Sequence, residues 1–170
     1  MQKGRAELTE SDVKKIEAEI EDRKLNKRPA LIAEVQEARA QGDLSENFEY
    51  YAAKKAKNEN EGRIRYLERM LRTATIVTDK SAEDEVGMNN FVNVEFMDDH
   101  STERYKIVTS IRGNSLKNYI SIESPIGKAL MGHKEGDVCH VEVRDDYGYD
   151  IKILSIEKTN DDSEDELKKY

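Results

Sequence analysis

The chain has no tryptophan, one cysteine and two prolines among its 170 residues, and each scarcity closes off a class of protein. A single thiol, Cys139, cannot form an intramolecular disulfide, so no disulfide framework holds the fold and nothing points to an oxidising compartment. It reads instead as a buried strand residue. No run approaches the roughly 18 apolar residues of a membrane span, and the opening "MQKGRAELTESD" has no apolar core of the kind a signal peptide needs. Membrane insertion is not expected, and the expected compartment is the cytoplasm. The three histidines, His100, His133 and His140, fall in no HExxH spacing and have no cysteine cluster nearby, which excludes a protein-only zinc site of the usual kinds. A glycine-rich phosphate loop and a nucleophile elbow are both missing.

Apolar residues are also in short supply, at 36% against 38% charged. That is too little for one large core and suits a long exposed helical element joined to a small globular part. Charge divides the chain in the same way. Residues 1–75 hold 16 Lys/Arg and 15 Asp/Glu, a balance of +1, while residues 76–170 hold 12 and 21, a balance of −9. A protein acidic overall is a poor general binder of duplex nucleic acid, so any such contact must be local.

What is present begins with helical periodicity. Val13, Ile16 and Ile20, then Leu31, Val35 and Ala38, recur at spacings of three or four, and Thr9 with Asp12 can cap the first turn. Pro29 lacks a donor and disfavours helix at Arg28, so a break or kink is expected between Asn26 and Pro29. Gly42 is a natural stop. A second stripe, Ala52, Ala56, Asn60, Ile64, Leu67, Leu71 and Ala74, follows Ser45, which can cap it; this helix is expected from about Glu46 to Ala74, roughly 40 Å long. Folding the runs back on each other pairs positions whose numbers sum to about 91, so that Val35 faces Ala56, Leu25 faces Leu67 and Ile20 faces Leu71, as in an antiparallel coiled coil.

From Thr75 the period changes to two in "TIVT", "FVNVEF", "RYKIV", "NYISIE", "VCHVEVR" and "DIKILSIE", separated by turn-rich stretches. "SPIGKALMG" is the one helical insert, with Pro125 in a permitted first-turn position after a Ser124 cap. The fold class is therefore α+β: a hairpin over residues 1–76, a β-rich domain over 77–158, and an acidic tail, 159–170, expected to be disordered.

Between the two helices lies "GDLSENFEY". Asp43 and Glu46 are three apart, so a helix-like turn would direct both carboxylates to one side, where they could supply hard oxygen ligands to Mg²⁺. Two carboxylates leave most of an octahedral shell unfilled, and further ligands would have to come from a partner. The same residues are ordinary turn formers and caps, and chemistry alone leaves both readings open. Arg39 before the segment and Lys54, Lys55 and Lys57 after it could touch a phosphate backbone or simply form a solvated helix face.

The string "GDLSENFEYYAAKKAKNENEGRIRYLE", followed by "YISIESPIGKALMGHKEGD", resembles the bacterial transcript cleavage factors of the Gre family over about Leu8 to Lys158. The resemblance implies a coiled coil that enters the secondary channel of bacterial RNA polymerase, and an FKBP-like β domain that docks on the channel rim. By it, Asp43 and Glu46 help hold an Mg²⁺ shared with the polymerase, with no tightly bound cofactor of the chain's own. Ser45 positions them, and Arg39 and Lys54 steady the 3′ end of backtracked nascent RNA. Ser124, Pro125, Ile126, Ala129 and Leu130 are the implied docking residues, although Ile126 and Leu130 fit the domain core equally well. The chain is expected to be a monomer when free and to act as a cofactor protein for the polymerase's Mg-dependent ribonuclease activity, without an activity of its own. Phe48 puts a large aromatic where the family more often has a small residue, and the tail after Lys158 exceeds the family core. A channel-binding regulator that does not promote cleavage is the alternative. A prolyl isomerase, suggested only by the fold of the β domain, finds too few aromatics to line a proline pocket.

Overall fold

The computed structural model describes residues 4–42 and 47–169. The chain divides into two compact units, Met1–Ala6 with Glu10–Thr75, and Glu7–Thr9 with Ile76–Tyr170. Short strands β1 (Glu7–Leu8) and β2 (Thr75–Ile76) form a two-stranded sheet. Around it, Thr75 N–H donates to the Ala6 carbonyl at 2.9 Å and Val77 N–H to the Leu8 carbonyl at 2.8 Å.

The first unit is the helical hairpin. Helix α1 (Glu10–Asp22) runs into a π-helical turn (Arg23–Lys27) and then α2 (Arg28–Ala40); α3 (Phe48–Thr73) returns beside α2. The break expected near Pro29 is thus a widened turn within a continuous helix. Pro29 has no N–H for the Leu25 carbonyl, and its ring would collide with that carbonyl in a tight turn. Widening the turn relieves both problems, and Arg28 N–H reaches back five residues to the Arg23 carbonyl. One inserted residue turns the helix face by about 100°. Leu25 lies nine residues past Ile16, half a turn round the helix, and faces solvent at 65% exposure, so its expected pairing with Leu67 is not formed; the widened turn re-phases the residues after it.

Arg23 takes the inward place. Its Nη1 donates to Asn60 Oδ1 at 2.9 Å, while Asn60 Nδ2 donates to the Arg23 carbonyl at 3.4 Å. Ion pairs flank this polar layer: Arg28 grips Glu61 with two nitrogens, at 2.6 and 2.9 Å, and Glu19 meets Arg63 at 3.2 Å. The Arg28 guanidinium holds the Glu61 carboxyl below its usual range. Of the stripe's apolar residues Ile16, Ala38, Ile64 and Leu67 are buried, most of the others are half-buried, and Ala52 is exposed.

The second unit is built on a five-stranded sheet of order β5-β4-β3-β7-β6, formed by β3 (Phe91–Phe96), β4 (Thr102–Val108), β5 (Tyr119–Ser121), β6 (Val138–Arg144) and β7 (Tyr147–Glu157). All neighbours are antiparallel except β4 and β5. The β3–β7 register shifts between Asn93 and Val94, where Leu154 is the extra residue of a bulge. One sheet face carries the core: Val92, Val94, Ile107, Cys139, Val141, Ile151 and Ile153 pack together with Val86 and with Leu130 of helix α4 (Pro125–Leu130). Burial pushes the Cys139 thiol above its ordinary pKa, in line with the strand-core reading.

Residues 159–169 depart from the expected disorder. They lie against the β domain, with the Asp165 side chain 1% exposed and paired to Lys106 and Arg112. A polar composition suggests disorder because it offers no apolar surface to bury. Here the docking is ionic and main-chain instead.

The expected Leu25–Leu67 pair separates into an exposed and a buried leucine. Leu67→Ala should destabilise the hairpin by about 2–5 kcal/mol, and Leu25→Ala by less than about 0.5 kcal/mol, in urea unfolding followed by helical circular dichroism. Equal losses would show that Leu25 packs inward after all.

Candidate functional site

The hairpin end is organised by caps. Helix α2 finishes with Gln41 N–H donating to the Ala38 carbonyl at 3.3 Å, and Gly42 then takes a φ of +121°, open to glycine and strained for other residues. On the return, Asn47 is the N-cap of α3: its Oδ1 accepts from Tyr50 N–H at 3.0 Å. Its Nδ2 donates to the Ala38 carbonyl at 2.7 Å, which ties the start of one helix to the last turn of the other. Asn47 therefore starts the helix; the expected cap, Ser45, lies outside the described residues. Asp43, Ser45 and Glu46 lie outside the described residues. The chain places them between these two capped ends.

Arg39 and Lys54 are both exposed, on α2 and α3 respectively. Arg39 sits over the Tyr50 ring at 5.7 Å, and Tyr50 meets Tyr51 edge-on at 5.6 Å. Hydrogen bonding to Arg39, with the Lys54 charge as a smaller contribution, holds the Tyr50 hydroxyl below its ordinary pKa. The two predicted cations thus share an aromatic neighbour. Sequence reasoning passed over Tyr50, although its place on the helix turn between them was visible in the spacing. Beside it, Glu34, Glu37, Ala38, Glu49, Ala52 and Ala56 line a shallow groove of small residues rimmed by acids. Among the described residues no group of three or more His, Cys, Asp or Glu side chains could hold a metal ion.

In the β domain, "SPIGKAL" forms the expected short helix. Ser124 Oγ accepts from Gly127 N–H at 3.1 Å and donates to the Ser121 carbonyl at 2.6 Å, which fastens the helix start to β5. A Cβ on Gly127 would sit 2.0 Å from the Ser121 carbonyl oxygen, so only glycine permits this approach. The five candidate docking residues separate here. Pro125 is exposed, Ser124 is half-buried, and Ile126 and Ala129 are half-buried against the core. Leu130 is fully buried within the core. Its assignment to docking is corrected: a side chain at 0% exposure positions the helix and offers no surface to a partner. Lys128 on the same helix is exposed.

Two outcomes follow. Arg39→Ala should raise the Tyr50 pKa back toward the ordinary tyrosine value, as read by ring-carbon NMR titration; an unmoved titration would deny the Arg39–Tyr50 hydrogen bond. Leu130→Ala should cost the β domain about 2–5 kcal/mol and Ser124→Ala about 1 kcal/mol, measured by calorimetry, with the larger loss at Leu130 marking it as core.

Comparison with known proteins places this geometry. Residues 6–76 match the family model described as "Transcription elongation factor, N-terminal", and residues 80–158 match "Transcription elongation factor, GreA/GreB, C-term". The chain is 40% identical over 154 residues to transcription elongation factor GreA of Lachnoclostridium phytofermentans, spanning 90% of this chain and 96% of that one. It is 42% identical over 153 residues to GreA of Streptococcus gordonii, spanning 89% and 95%. Among solved structures, GreA factor homolog 1 of Thermus thermophilus aligns over 91% of this chain and all of its own, at 25% identity and a TM-score of 0.42. Among the described residues no helix is long and apolar enough to cross a membrane. Two family models matched in order across nearly the whole chain, joined to a capped helical hairpin and a separate β domain, make this chain a member of the GreA/GreB family of transcription elongation factors, standing with GreA.

Proposed function

We propose that this chain, as a transcription elongation factor, acts on bacterial RNA polymerase from the cytoplasm. It enters the secondary channel hairpin-first and stimulates the polymerase's own cleavage of backtracked RNA, so that arrested complexes resume. The observation that carries this reading is the segment "GDLSEN" with both acids intact, set where two helices of a GreA-type hairpin meet. The acids take their meaning from the surrounding string, which ties the chain to its family.

Asp43 and Glu46 would supply the carboxylates, hard oxygen donors of the kind Mg²⁺ takes, and the polymerase and the RNA would supply the remaining ligands. When bound, such a metal polarises phosphoryl oxygens and readies a water for attack. The chain's own part is delivery and orientation. Ser45 sits between the two acids and would position them, with Asn47 fixing where the helix begins. Arg39 and Lys54 would hold the RNA 3′ end by its phosphates, and Tyr50, flanked by both cations, offers a face for a base. Pro125, Ser124, Ile126 and Ala129, with Lys128, would meet the rim of the channel, while the chain itself stays monomeric when free. The reading without cleavage, a channel-blocking regulator, has less support, because the GreA relatives match this chain over nine-tenths of its length.

In a stalled bacterial elongation complex, Asp43→Asn with Glu46→Gln should reduce stimulated RNA cleavage by about 10²-fold or more, the scale of losing a group that stabilises the transition state. Binding to the polymerase should persist. Wild-type protein that binds but yields no shortened RNA would favour the regulator, and a double variant that cleaves normally would remove the acids from the mechanism.

A further inference from the structure

Lys106 and Arg112 are buried cations on the β domain, and the function proposed above uses neither. Lys106 alternates with Ile107 along β4 and so lies on the sheet face opposite the core. A lysine there is ordinarily solvated, yet its side chain is 5% exposed and that of Arg112 is 0% exposed. Arg112 follows β4 in a short 3₁₀ turn, Ser110–Arg112. Two charges withdrawn from water in one place require an anion of matching geometry.

We propose that Lys106, Arg112 and Asn89 form a carboxylate-binding site whose ligand is the C-terminal segment of the same chain, anchored by Asp165. Lys106 Nζ donates to one carboxylate oxygen of Asp165 at 2.7 Å and Arg112 Nη1 to the other at 2.7 Å. Arg112 is itself aimed by Asn89 Oδ1 at 2.6 Å and Thr109 Oγ1 at 3.2 Å. Asn89 adopts a φ of 65°, a left-handed conformation asparagine tolerates. The rings of Phe91 and Tyr119 stand 5.6 and 5.2 Å from the lysine nitrogen. Both oxygens of the Asp165 carboxylate are engaged, one by Lys106 and one by Arg112, beside the rings of Phe91 and Tyr119.

The segment is recognised along its length, as a peptide ligand is. Asn90 Nδ2 donates to the Thr159 carbonyl at 2.9 Å, Asn89 Nδ2 to the Asn160 carbonyl at 3.4 Å, and Lys106 Nζ to the Asp161 carbonyl at 2.9 Å. Beyond the anchor, Lys168 N–H donates to the Ile111 carbonyl at 2.5 Å. Of the segment's acids, Asp161, Asp162, Glu164, Asp165 and Glu166, only Asp165 is buried, so the site selects by register and not by net charge. The GreA/GreB C-terminal model ends at residue 158, immediately before this ligand begins. A tether this short gives the anchor an effective concentration on the order of millimolar or more, which keeps the site closed to ordinary solutes.

Chemical rescue in the full-length chain tests the assignment. Asp165→Ala should lower the β-domain Tm by about 10 °C or more, as expected for removing one member of a buried ion network. Formate, up to on the order of 100 mM, should recover part of that loss saturably, as a ligand of about millimolar affinity would, where equal chloride does not. Wild type should show no formate effect beyond that of chloride. A variant that melts with wild type, or that responds equally to formate and chloride, overturns the site. Should Asp165→Ala not fold, hydrogen exchange on wild type decides: the Lys168 amide should exchange at least about 10²-fold slower than an unstructured amide, and random-coil exchange across 159–169 overturns the proposal.

Discussion

Two helices that meet along a narrow apolar stripe can slide past one another by a turn at little cost, and in this hairpin the contact that forbids sliding is between Arg23 and Asn60. The pair exchanges hydrogen bonds in both directions, side chain to side chain and side chain to carbonyl. A shift of one turn would leave a half-buried guanidinium and a buried amide unmatched among apolar neighbours, at a cost of about 1–3 kcal/mol for each buried group. A buried asparagine is the best-attested device for fixing coiled-coil register, and it works by penalising every alternative. The π-turn adjoins this contact: Arg23 lies seven residues past Ile16, on the inward stripe of α1, and the turn that starts there re-phases the residues that follow. A hairpin that must present a few side chains at its far end depends on this contact, because an error of register at the middle becomes an equal displacement at the end.

How much of this was legible in the sequence follows from what each pattern can encode. The helical stripe and the period-two segments announce which residues face inward, and Ile64, Leu67, Val92, Val94, Ile151 and Ile153 are buried accordingly. Pro29 announced a disturbance but not its form, since a kink, a break and a π-turn all answer a missing N–H. Ser45 and Asn47 are both good oxygen acceptors, and spacing alone did not single out Asn47, whose side chain takes the Tyr50 amide. Leu130 was ambiguous in the same sense. A six-residue helix is too short for periodicity to separate an inward leucine from an outward one.

The candidate site was legible in a different way. Nothing in spacing or charge distinguishes Asp43 and Glu46 from good turn residues; they gain meaning only from the surrounding string that ties the chain to its family. Arg39 and Lys54 are similar, since isolated cations on a helix face are common. The structure adds what the string could not: the Arg39 guanidinium lies over the ring of Tyr50, which stands on the same helix as Lys54.

The tail shows where composition misleads. Segments rich in acids and poor in apolar residues are read as solvated because hydrophobic burial is the usual reward for ordering a chain. Here the reward is located on the body of the domain, in two cations that the sheet has already withdrawn from water. Once Lys106 and Arg112 are committed to the interior, their desolvation has been borne by the fold, and the arriving carboxylate meets partners that need it. Measured against an apolar core of equal volume such a network adds little stability. Its effect is selective: among several acids within a few residues of each other, one alone fits between the two donors, and the path of the whole segment follows from that choice. The hairpin and the β domain therefore solve one problem by one means. Where apolar surface is too scarce to dictate a unique arrangement, a buried polar contact that tolerates only one partner does so.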